Sequence, residues 1–129
     1  MKFRRTLSLA LSTAALIGAG LAGTGTAHAA YGCGGQLWTT VSSGVVRVEL
    51  YRESADWCAV AVHVNGTYGT YFATSVQIEG SEGGLSILDS GNFRYYAGPT
   101  RYPRDGMPVR AIGWSSRTGT VQTRFTDVG

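Results

Sequence analysis

From Tyr31 onward, apolar and polar residues alternate with a period of two in short runs broken by turn residues. In Val45 to Glu53, Val46, Val48 and Leu50 fall on one face, and Arg47, Glu49 and Tyr51 on the other, as in a half-buried strand. Trp57 to Val64 repeats the pattern, with Cys58, Val60, Val62 and Val64 sharing a face. Ser54-Ala55-Asp56 fits a three-residue hairpin loop between them. That register sets Leu50 opposite Val60, Val48 opposite Val62 and Val46 opposite Val64, so the apolar faces coincide. Asn65-Gly66 then reads as a tight hairpin turn. A bulge at Gly69 is needed to return Phe72, Val76 and Ile78 to the apolar face.

Further strands are expected at Gln36 to Val41, Tyr71 to Glu79, Leu85 to Leu88, Asn92 to Ala97, Val109 to Trp114 and Val121 to Thr126. Gly80 to Gly84, Asp89-Ser90-Gly91 and Ser115 to Gly119 are the turns between several of them. No segment carries the period of an amphipathic helix, and there is no internal repeat or linker. About seven to eight short antiparallel strands in roughly one hundred residues predict an all-β fold, a compact β-sandwich or barrel.

The first residues follow another logic. Lys2, Arg4 and Arg5 precede a mostly apolar stretch from Leu7 to Leu21, and Ala27-His28-Ala29 is a small-residue cleavage signal. Residues 1–29 therefore read as a secretory signal peptide, and 30–129 as a single small β domain. After cleavage no membrane span remains. The leader also changes the charge argument. The chain carries eleven basic and eight acidic residues, but three of the basic ones lie in the leader, which leaves eight arginines against eight acids. The domain has no net basic field, so its charge gives no basis for a nucleic-acid partner.

Export places the chain in an oxidising compartment, where its two cysteines, Cys33 and Cys58, are expected to pair. Closing that loop stabilises the fold by about 3.5 kcal/mol in the chain-entropy model. With His63 as the domain's one histidine, a zinc site lacks ligands. No cofactor motif is present. A hydrolase needs a base beside its nucleophile, and His63 falls mid-strand, opposite Arg47, as a partly exposed strand residue. Glu49, Glu53, Asp56, Glu79, Glu82, Asp89 and Asp105 offer many carboxylate pairs, none marked out by position. No catalytic residue is assigned, and the domain reads as non-enzymatic.

Binding is the better-equipped function. Phe93 to Arg104 holds Phe93, Tyr95, Tyr96 and Tyr102 together with Arg94, Arg101 and Arg104. Alternation assigns Phe93 and Tyr95 to the core. It leaves Arg94, Tyr96, Arg101 and Tyr102 as a candidate binding surface of the residue types that anchor interfaces. Pro99 and Pro103 equally suit a protected edge strand.

The segments "YGCGGQLWTTVSS", "DWCAVAV" and "LDSGNFRYYAGPTRY" resemble the small secreted spore-associated protein A family of actinomycetes. The resemblance lies in Cys33-Gly34, in Cys58 to Val64, and in Asp89, Gly91, Asn92, Phe93, Tyr96, Ala97, Gly98 and Pro99. The family pattern carries a second cysteine pair. Here Pro108-Val109 and Asp127-Val128-Gly129 stand in those regions without cysteine. The resemblance implies an extracellular protein associated with the spore or cell surface, with no assigned reaction. Its expected partner is a wall polymer or a secreted protein. A module for wall polysaccharide, an inhibitor of a secreted protease and a small secreted hydrolase are the alternatives.

Overall fold

A computed structural model describes residues 31–127, so the expected leader lies outside the described residues. The described chain is all-β, with strands β1 (Gln36–Ser43), β2 (Val46–Arg52), β3 (Asp56–His63), β4 (Phe72–Gly80), β5 (Asp89–Phe93), β6 (Tyr96–Pro103), β7 (Val109–Ser115) and β8 (Gly119–Gln122). They form two four-stranded antiparallel sheets, ordered β8-β7-β4-β5 and β1-β2-β3-β6. The sheets pack face to face as a sandwich, not a closed barrel. Between them lie Val46, Val48, Leu50, Trp57, Ala59, Ala61, Val76, Ile78, Val109 and Ala111, all buried. Among the described residues no helix is long and apolar enough to cross a membrane.

The β2–β3 hairpin differs from its expected register by one residue. Glu53 N–H donates to the Asp56 carbonyl at 2.8 Å, closing a two-residue turn at Ser54-Ala55. Val46 therefore faces His63, Val48 faces Ala61 and Leu50 faces Ala59. A one-residue slip exchanges the two faces of a strand. Trp57, Ala59 and Ala61 join the inter-sheet core, while Cys58, Val60 and Val62 point outward. The expectation failed because Trp57 to His63 is buried on both sides, so alternation carries no phase.

Asn65-Gly66 does turn the chain, with both residues at positive φ. It does not make a hairpin, and Gly69 is not a bulge. The segment crosses to the opposite sheet through successive turns, with Thr67 N–H donating to Val64 O and Thr70 N–H to Thr67 O. Leu85 to Leu88 is not a ladder strand; only Leu85 bridges Glu79. Asp89-Ser90-Gly91 is strand rather than turn, paired with β4. Asn92 to Ala97 is split at Arg94-Tyr95, where the chain passes from one sheet to the other. The last strand ends at Gln122, beyond which Thr123 and Thr126 side chains take over the hydrogen bonding by accepting from Ala111 and Val109 N–H.

The expected bridge is present. Cys33 and Cys58 are joined at 2.04 Å, and both are fully buried. With Tyr51, Val60 and Val62 they form a second apolar cluster on the outer face of the β1-β2-β3-β6 sheet, covered by Tyr31, Val64 and Tyr96. The N-terminal segment thus closes one outer face of the sandwich. Among the described residues no segment covers the other outer face.

Candidate functional site

The four residues read as a binding surface, Arg94, Tyr96, Arg101 and Tyr102, take four separate places. Gly98, at positive φ, and Pro99 lie where β6 is out of register with β3, between the Ala59–Thr100 and Ala61–Ala97 pairs. An added Cβ at Gly98 would stand 2.8 Å from the Ala59 carbonyl, so the irregularity needs glycine. Beyond it Arg101 pairs with outward-facing Cys58, and Tyr102 with inward-facing Trp57.

Tyr102 packs against the main core, its hydroxyl in the slot left by the missing side chains of Gly80 and Gly84. Tyr96 lies against Tyr31, ring centres 5.1 Å apart, over the disulfide cluster. Arg101 is a latch. Its Nε and Nη2 donate to the two oxygens of Glu53 at 2.9 and 3.1 Å, and Nη2 also to the Gly32 carbonyl at 2.7 Å. Glu53 Oε2 accepts Gly34 N–H at 2.8 Å. A bidentate pair of this kind fixes geometry as well as charge. Burial alone would raise the Glu53 pKa, but the Arg101 hydrogen bonds, Gly34 N–H and the Arg101 charge outweigh it and leave the pKa lowered.

Arg94 alone meets a cluster of exposed aromatics. It sits in the β5–β6 turn with its guanidinium 4.4 Å from the Tyr71 ring centre. Tyr95 was expected in the core, but the turn swings it outward against Tyr68 at 4.8 Å. Tyr68, Tyr71 and Tyr95 are 56, 61 and 44 % exposed. The crossover loop and the turn are tied by Gly69 N–H donating to Arg94 O at 2.9 Å. Two segments distant in sequence thereby build one tip of three tyrosines and an arginine. The repeated Gly-Thr-Tyr of Gly66 to Tyr71 was the overlooked signal: aromatics spaced by residues that build turns, not strands.

Beneath the tip lies His63, not partly exposed but buried, stacked on Phe72 at 3.8 Å. Its Nδ1 lies 3.1 Å from the Arg94 carbonyl, which makes it the donor, and Nε2 lies 2.7 Å from Thr74 Oγ1. Desolvation lowers the imidazole pKa; the Arg94 and Thr70 backbone contacts oppose it, and the Arg117 charge adds to the lowering. The His63–Thr74 pair has the spacing of a base and a hydroxyl nucleophile, but both side chains are sealed from substrate. Three of the carboxylates are held in ion pairs, Glu49 with Arg47, Glu53 with Arg101 and Glu79 with Arg110, while Asp89 and Asp105 accept the N–H groups of Gly98 and Met107. Among the described residues no three His, Cys, Asp or Glu side chains gather to hold a metal.

A third feature flanks β6. Leu85, Ile87 and Leu88 are exposed, and Ile87 and Leu88 border an open groove of about 390 Å³ with Pro99, Thr100 and Arg101. The segment is braced from below. Thr100 Oγ1 donates to the Ile87 carbonyl, Ile78 N–H to Ser86 Oγ, and Gln77 Nε2 to the Ser86 carbonyl. No family model, curated protein or solved structure matches this chain. The reading of the site therefore rests on geometry.

Proposed function

We propose that the protein is a secreted, non-enzymatic module of the spore or cell exterior that attaches to a wall polymer through the tip formed by Tyr68, Tyr71, Tyr95 and Arg94. The observation that carries this reading is the joint exposure of those three rings beside one guanidinium. Tyrosine offers rigid contact area with little side-chain entropy to lose, arginine adds a planar cation, and large exposed apolar patches mark interaction sites. The enclosure of His63 and the pairing of three carboxylates support the non-enzymatic part. The likeness to spore-associated proteins supports the exterior location.

The test is co-sedimentation of the purified domain with washed spore walls and peptidoglycan, beside a Tyr68→Ala, Tyr71→Ala, Arg94→Ala variant. Saturable pelleting that the folded variant loses is the expected result. Equal pelleting by both proteins, or by neither, defeats the reading.

The braced Leu85 to Leu88 segment favours a second reading, an inhibitor of a secreted protease. It presents exposed aliphatic side chains on an extended backbone held from beneath, close to the Gly80 to Gly84 loop. Near-stoichiometric protection of a protease substrate, abolished by Ile87→Asp and Leu88→Asp, is its signature.

A further inference from the structure

The outer face of the β8-β7-β4-β5 sheet is unlike any other surface of the molecule. Pairing sets Thr120, Trp114, Ser75 and Ser90 side by side across its four strands. The next row continues with Gln122, Ile112 and Gln77. Strand alternation turns all of these outward, since Val76, Ala111, Gly113 and Val121 between them are buried. Trp114 is 41 % exposed, on an interior strand rather than an edge. Ser75 on one side is too small to cover it, and Thr120 on the other shields little more.

Of the polar side chains in these rows, Gln77 is spent on the Ser86 carbonyl and the others are free. Among the described residues the side chains of Ser75, Ser90, Thr120 and Gln122 make no hydrogen bond, whereas the buried hydroxyls of Ser86, Thr100 and Thr123 are all engaged. The two rows carry no charge. The nearest ionic groups at one end, Arg110 and Glu79, neutralise each other at 2.8 Å.

We propose that this face is a platform for a linear, uncharged, ribbon-like β-1,4-linked glycan, with the Trp114 indole as the stacking surface and Ser75, Ser90, Thr120 and Gln122 as its hydrogen-bonding border. Hydroxyl and amide groups both donate and accept, as sugar hydroxyls require. An acidic polymer would need cations that the strip lacks, and protein interfaces are depleted in serine. Four strands spaced about 4.8 Å apart make a strip roughly 14 Å long, close to the length of a trisaccharide. The single row that these residues form across four paired strands suits an extended chain better than a coiled one.

The platform shares no residue with the tyrosine tip, and one experiment separates the two. Calorimetric titration with chitohexaose and with cellohexaose is run on the wild type, on Trp114→Ala, on Ser75→Arg, which keeps the ring but obstructs the strip, and on Tyr68→Ala, Tyr71→Ala. Circular dichroism establishes that each variant is folded. The expected result is saturable binding of at least one neutral hexasaccharide, weakened tenfold or more by Trp114→Ala and by Ser75→Arg and unchanged in the tip variant. No saturable binding by the wild type overturns the proposal. So does undiminished binding by both face variants, loss in the tip variant alone, or binding confined to polygalacturonate, run as the charged comparator.

Discussion

The two outer faces of the sandwich share a backbone architecture but differ in chemistry. On the β1-β2-β3-β6 sheet the outward residues include Tyr51, Cys58, Val60 and Val62, an apolar cluster that cannot remain in water, beside the charged Arg47, Glu49 and Arg101. The N-terminal segment covers it, fastened by a disulfide, the Arg101–Glu53 pair and Tyr31. On the β8-β7-β4-β5 sheet the outward residues include Ser75, Gln77, Ser90, Thr120 and Gln122 around Trp114 and Ile112, and no segment among the described residues lies over them. One face adds a second small core to a domain whose size limits the first. The other leaves a binding chemistry free.

The covered face should dominate stability. Reduction of the Cys33–Cys58 bridge is expected to cost about 3.5 kcal/mol in the chain-entropy model. For a domain of this size that lowers Tm by roughly 15–25 °C. Thermal melts with and without verified reduction check it; coincident melts would show that the second cluster stands without its staple.

Next in size is Tyr51→Phe. Tyr51 donates to Glu49 Oε1 at 2.7 Å, and Glu49 Oε2 accepts from Arg47 Nε at the same distance. Removing the hydroxyl leaves a buried carboxylate oxygen unpaired, at about 1–3 kcal/mol by denaturant titration. Burial, with Glu49's hydrogen bond and charge, pushes the Tyr51 pKa far above the ordinary phenol range. Because the folded-state pKa is the higher one, this stabilisation is present below the ordinary phenol pKa and lost as pH rises through the folded value. In an ultraviolet titration Tyr51 should therefore ionise last.

Arg101→Ala should have a smaller effect, at most about 1 kcal/mol, because the pair is partly exposed and solvent screens it. Its pH dependence is more telling than its size. The Glu53 pKa is lowered in the folded state, so the latch contributes above the ordinary carboxylate range and is lost as pH falls through the folded value. Wild type and variant should differ in Tm at neutral pH and converge in acid. A gap that persists in acid would show that Arg101 acts through packing instead.

The smallest effect belongs to the bare face. Trp114→Ala should change stability by no more than about 0.5 kcal/mol, as expected of an exposed side chain outside the core. A large loss in denaturant titration would make Trp114 a structural ring and remove the contrast between the faces.

The alternations of β2 and β4 were legible because the face of each turned to the core is mainly apolar and the other mainly polar. The phase of β3 was not, because Trp57 to His63 is apolar on both faces and the two-residue turn at Ser54-Ala55 decides which face meets the core. Arg101 could be recognised as an exposed cation. That it holds Glu53 and the Gly32 carbonyl depends on neighbours far along the chain. Tyr96 and Tyr102 looked like partners of Arg94 until the irregular register at Gly98-Pro99 and the sheet-to-sheet turn separated them.

By itself the amino-acid sequence determined the all-β class, the count and rough bounds of most strands, and the one bridge. Each of these follows from local alternation, from turn residues, or from having only two cysteines to pair. The tertiary structure alone decided which strands share a sheet, which outer face is covered, and which aromatics meet at the tip or stand open on the sheet. Those outcomes rest on contacts between residues remote in sequence, where a shift of one position in a turn exchanges core for surface and local pattern carries no information about distant partners.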